Sequence, residues 1–149
     1  MNRPTKQGWG LSILVGLVIG LVEGLWLLFN WLANWSQWEK GCLTIAAFVL
    51  VILVLNAVGL GRFRFAFLTG AMFGLTAHLI VISFWSVFSS HNPWFMSKLT
   101  TDLSGSNLSP RMVYVISVLP VSILFGLAFG GIAVLARQMS VVIKPSVRA

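Results

Sequence analysis

Residues 10–32 read GLSILVGLVIGLVEGLWLLFNWL, and this run decides the fold. It is long enough to cross a hydrocarbon layer, which takes about 20 helical residues. Inside lipid the backbone must satisfy its own hydrogen bonds, so the run is helical. Gly16, Gly20 and Gly24 recur at every fourth position, with Glu23 among them. At about 100° per residue, Gly16, Gly20, Glu23 and Leu27 fall within roughly 60° of one helix face. A smooth face carrying one carboxyl group is suited to another helix rather than to acyl chains.

Three further apolar runs follow, at residues 42–60, 65–88 and 112–136. None shows the alternating polarity of a transmembrane β-barrel strand. The expected fold is therefore all-α: an integral membrane four-helix bundle forming a single domain over residues 1–149. The composition agrees, being 58% hydrophobic and only 9% charged, too little polar material to cover a water-facing surface. The segment after Arg3 and Lys6 is too long for a signal-peptide core and reads as an uncleaved first span.

Lysine and arginine placement orients the bundle. Arg3, Lys6, Arg62, Arg64, Arg137, Lys144 and Arg148 fall on one side, and Lys40, Lys98 and Arg111 on the other. The positive-inside bias then puts both termini in the cytoplasm. Trp31, Trp35, Trp38, Trp85, Trp94 and Tyr114 map to the outer interface, and Trp9 to the inner one. The short turn at residues 59–64 makes spans two and three an antiparallel hairpin. In the long outer loop, Asn92-Pro93 starts a helix. Phe95, Met96, Leu99 and Leu103 give it an apolar stripe, so a short interfacial helix is expected there. Residues 140–149 read as a flexible tail.

The net charge of +7 is spread over ends and loops without a basic stripe, which argues against nucleic-acid binding. The lone Cys42 excludes an internal disulfide and multi-cysteine metal sites, and reads as a small apolar residue at a helix start. No cofactor and no metal is implied. His91 and His78 stand about 20 Å apart along a helix, without further ligands at coordinating spacing. Intramembrane serine chemistry fails because His78 and Ser86 are two turns apart. The sequons at Asn34 and Asn107 matter only in a secretory pathway.

The polar residues inside the spans are the candidate site. Glu23 lies about 21 Å beyond Trp9, and His78 about 20 Å beyond Phe65, at 1.5 Å per residue. Both spans run the same way, so the two sit at similar depth, each beside a small-residue face. The expectation is a Glu23–His78 hydrogen bond or ion pair, because either group alone is costly within a membrane. It serves either helix packing or a proton or substrate site. The motif also recurs: Gly16-x3-Gly20 before Glu23, and Gly70-x3-Gly74 before His78. Gly16, Gly20, Gly24, Gly70, Gly74, Gly126 and Gly130 read as packing glycines, within the chain or between copies. Pro120 kinks span four, freeing the carbonyl of Ile116, with Ser117 and Ser122 placed to re-satisfy it. Asn56 is expected to hydrogen-bond a neighbouring helix.

Four short spans with a glutamate in the first resemble the small multidrug-resistance exporters. The resemblance implies proton-coupled transport with Glu23 as the titrating residue. The longer spans, the long outer loop and the surroundings of Glu23 depart from that family. The residues themselves favour a non-enzymatic inner-membrane protein, in contact with the lipid bilayer and serving a larger membrane complex as subunit or helper, or forming a homo-oligomer. The alternative is a small proton-coupled transporter. A lipid-modifying enzyme using His91, Asn92 and Asp102 ranks third.

Overall fold

The computed structural model describes residues 5–30 and 36–142, with only the backbone described for 5, 6, 37, 41 and 139–142. Their order is α1 (Thr5–Phe29), α2 (Gln37–Ala57), α3 (Phe63–Ser83), α4 (Trp85–His91), α5 (Pro93–Asp102) and α6 (Pro110–Val142). The described residues form helices joined by turns and short irregular stretches, without strands. Four helices, α1, α2, α3 and α6, are long and apolar enough to cross a membrane.

Local chemistry sets the helix ends. Asn30 takes a left-handed conformation, φ 46°, and stops α1 before the expected residue 32; Trp31 and Trp35 lie outside the described residues. A capping box starts α2 five residues earlier than the apolar run: the Glu39 N–H donates to Ser36 Oγ at 3.3 Å, and the Ser36 N–H to Glu39 Oε2 at 2.7 Å. Gly59, at φ 80°, supplies the left-handed residue of the turn that follows. Ser109 Oγ accepts from the Met112 N–H at 3.2 Å and caps α6, whose first residue is Pro110.

Two further boundaries depart from the hydropathy reading. The third long helix ends at Ser83, not at residue 88. Phe84 leaves the helical region (φ −113°, ψ 40°) and the chain restarts as α4. Arg111 of α6 reaches back to this break, its guanidinium donating to the Ile82 carbonyl at 3.3 Å, so a cation meets the negative end of α3. At the other end of the chain, α6 continues to Val142, helical where a flexible tail was expected to begin; residues 143–149 lie outside the described part.

The long helix α3 is the middle of the molecule, with α1 packed along one flank and α6 along another. The α1–α3 pair is parallel: a Cβ on Gly8 would meet Phe65, on Gly16 Thr69, on Gly20 Phe73, and on Gly24 Ile80. The α3–α6 pair is antiparallel and interlocked by reciprocal knobs. Phe63 and Phe67 of α3 lie over Gly130 and Gly126, while Phe129 and Phe125 of α6 lie over Gly70 and Gly74. All seven glycines singled out from sequence thus face a neighbour within the chain. A missing side chain on one helix is filled by a ring, or by a backbone carbonyl, from the next.

The α2 helix is held differently. It leads into α3 through a tight turn but packs mainly on α6, reaching α3 through Phe48 on Phe73 (centroids 5.6 Å). Its second half, with Ile52 and Leu55, completes a core of Phe65, Ala66, Phe73, Phe129 and Ala133. Its first half is uncovered: residues 42–47 are all exposed. A second apolar cluster, Leu28, Val81 and Phe88 with Trp85, Phe95, Met96 and Tyr114 around them, occupies the opposite end. Trp85 and Tyr114 pack in this cluster, 5.5 Å apart between ring centroids. Trp38 and Trp94 are exposed. The amphipathic α5 lays Phe95 and Met96 on this cluster and leaves Trp94 outside with Lys98 Nζ over its ring at 5.7 Å.

Candidate functional site

Glu23 and His78 stand on neighbouring helices without a bond between them. The reason lies in the phase of α3. Its Gly70 and Gly74 turn toward α6, while α1 docks against the row Thr69, Phe73, Thr76, Ala77 and Ile80. Phe73 and Gly74 differ by one residue, which is about 100° around the helix. His78, one turn beyond Gly74, follows the α6 side: its ring lies on Tyr114 with centroids 5.3 Å apart. His78 Nδ1 is 2.6 Å from the Gly74 carbonyl oxygen. A carbonyl only accepts, so Nδ1 carries the proton of this bond, and in the neutral ring Nε2 keeps its lone pair.

Glu23 sits on the sheltered flank of α1. The row Leu17, Leu21, Leu25 and Phe29 is exposed. The row Val15, Ile19, Glu23 and Leu27 is half-buried. Val15 and Ile19 pack against the core that α2 completes, and Leu27 against the second cluster. Glu23 falls in the seam between these two clusters. No other side chain or backbone group among the described residues hydrogen-bonds or ion-pairs with its carboxyl group. Phe48, the earliest α2 residue packed on the first core, lies at the level of Phe73, and Gly20 lies there too. Glu23, three residues on from Gly20, is about 4.5 Å farther along α1, where α2 no longer covers the bundle.

The other polar side chains mostly donate to main-chain carbonyls. Thr69 Oγ1 bridges α3 to α1, donating to the Ser12 carbonyl at 3.2 Å and to that of Phe65 at 3.0 Å. Ser12 Oγ donates to the Gly8 carbonyl at 2.8 Å. Ser117 and Ser122, expected to compensate for Pro120, serve Tyr114 and Val118 instead, so neither reaches the Ile116 carbonyl. Pro120 itself lies inside continuous α6. Asn56 turns to its own hairpin rather than to another helix: a Cβ on Gly61 would run into its side-chain oxygen.

Two asparagines form a clasp that the sequence reading missed. Asn30 Nδ2 donates to the His91 carbonyl at 3.1 Å, and Asn92 Nδ2 donates to the Leu27 carbonyl at 3.0 Å. Each amide thus satisfies a carbonyl in the last turn of the other's helix. The available signal was an asparagine just after each helix end. His91 lies edge-on to Phe29, centroids 5.8 Å apart, and Asp102 is exposed at the end of α5. Cys42 is exposed, and among the described residues no three of His, Cys, Asp or Glu come together as a metal site.

No protein-family model matches the sequence, and no curated protein and no solved structure matches it either.

Proposed function

We propose that the chain is a non-enzymatic integral membrane protein of the bacterial inner-membrane type, serving as a small subunit or helper of a larger membrane assembly. In this reading α1, α2, α3 and α6 span the bilayer with both ends cytoplasmic, and α5 lies at the outer interface with Trp94 and Lys98 toward the headgroups. The carrying observation is the use made of the polar side chains. Ser12, Thr69, His78, Asn30, Asn92, Ser117, Ser122 and Arg111 each engage a main-chain carbonyl of the fold. Thr69, Asn30, Asn92 and Arg111 tie one helix to another, Ser12, His78, Ser117 and Ser122 bond within their own helix, and the bonds are spread over separate places rather than gathered where a substrate would react.

The test is purification of the tagged protein in a mild detergent from its native host, with native mass spectrometry of the eluted particle. The reading expects a stoichiometric larger partner. Elution of the chain alone, together with pH-gradient-driven flux in vesicles that Glu23→Gln abolishes, overturns it in favour of a small proton-coupled transporter. That second reading draws on one observation, the half-buried and unpaired carboxyl group of Glu23.

A further inference from the structure

We propose that the seam of Ile19, Glu23 and Leu27, left open where the first half of α2 stands clear, receives a transmembrane helix of a different protein that presents a basic side chain to the Glu23 carboxylate. This deepens the assembly reading and rests on it.

The argument begins with what α1 does on its two flanks. One flank is plain hydrocarbon, Leu17, Leu21, Leu25 and Phe29, and lipid suits it. The other carries the one acid found within the four long helices past their first turns. Its neighbours Ile19 and Leu27 rest against separate apolar clusters, so neither cluster covers the position between them. Across the seam, α2 is sealed to the bundle from Phe48 onward and exposed over residues 42–47. Thr44, on that uncovered stretch, has its hydroxyl bound to the Lys40 carbonyl at 2.9 Å and offers Glu23 no donor.

Charge selects the occupant. A carboxyl group at this depth is stabilised by a cation or a strong donor, and acyl chains supply neither. Glu23 is six residues from the end of α1, about 9 Å inside it, so the helix that pairs with it must carry its basic group at a matching depth. A second copy of this chain cannot do so. Among its described lysines and arginines, Lys40 and Arg111 stand at the Glu23 end in the first turns of α2 and α6, Lys98 stands there on the short α5, and Arg62, Arg64 and Arg137 lie toward the opposite end, where α3 begins. The complementary group comes from another protein.

The test uses designed peptides in phosphatidylcholine vesicles. One is a leucine–alanine transmembrane helix with a single lysine six residues inside one end; the other has leucine there. Association is read by energy transfer to a fluorophore on the full chain, carried at Ser106→Cys in a Cys42→Ala background, in the exposed loop before α6. The lysine peptide is expected to bind about tenfold more tightly, within the range of polar contacts between membrane helices. Glu23→Gln, which keeps shape and hydrogen bonding, reduces the preference, and Glu23→Leu erases it. Equal binding of both peptides overturns the proposal, as does a lysine preference that survives Glu23→Leu. Displacement of the lysine peptide by tetraphenylphosphonium, dependent on Glu23, also overturns it by making a small cation the occupant. A stoichiometric partner that still co-purifies with Glu23→Leu sinks the seam alone and leaves the assembly reading standing.

Discussion

Replacing Gly20 with alanine tests the parallel α1–α3 contact on which the whole layer depends. The added Cβ would lie 2.6 Å from the Phe73 carbonyl oxygen, 2.7 Å from Thr76 Cβ and 3.2 Å from Phe73 Cα. Two of these are backbone atoms and the third is rooted on it, so no side chain can swing aside. Ordinary contact begins at 3.4 Å, and reaching it requires α1 to back away by about 0.8 Å, well beyond what packed interiors absorb without loss. The Thr69–Ser12 hydrogen bond, already at 3.2 Å, then stretches out of range. Overpacking of this kind costs about 1–3 kcal/mol, and the lost bond adds about 1 kcal/mol. Alanine's better helix propensity returns at most about 1 kcal/mol. The net expectation is a loss of about 1–3 kcal/mol. Gly131→Ala is the matched control. It is also mid-helix, but a Cβ there meets nothing within 4 Å, so it gains up to about 1 kcal/mol. Equilibrium unfolding by SDS titration in bicelles reads both variants. Equal stabilities, or Gly20→Ala above wild type, would refute the close approach of α1 and α3.

Three further outcomes follow from the hydrogen bonds and the hairpin. Thr69→Val keeps the side-chain volume but removes the donor to Ser12 and Phe65; a loss of about 1 kcal/mol is expected in the same unfolding assay. Asn30→Gly preserves the left-handed residue and deletes only the amide, and Asn92→Ala deletes its counterpart. Each should speed hydrogen exchange of the α4 amides, and the double variant should differ from the sum of the singles, since the two bonds close one clasp. Gly61→Ala collides with the Asn56 side chain and should destabilise the α2–α3 turn. Asn56→Ala should rescue much of that loss, and a double-mutant cycle without coupling between them contradicts the geometry.

Four long helices were legible because hydropathy and length report them directly, and the packing glycines because spacing by four marks one face. The ends were less legible where a local bond decides them: the capping box at Ser36 and Glu39 and the break at Phe84 interrupt or extend apolar runs that hydropathy treats as continuous. The candidate pair failed for a sharper reason. Sequence fixes the depth of Glu23 and of His78 from rise per residue, and both glycine motifs look alike. Depth leaves azimuth open, however, and α3 has two partners. Its glycines seat α6, and the seat of α1 is the larger Thr69–Phe73–Thr76 row, with the glycines on the α1 side. An interface needs small residues on only one of its two surfaces, so a glycine row identifies a close contact without naming the partner. That asymmetry carries His78 onto Tyr114 and leaves Glu23 half-buried on α1, without a bond to the histidine that shares its depth.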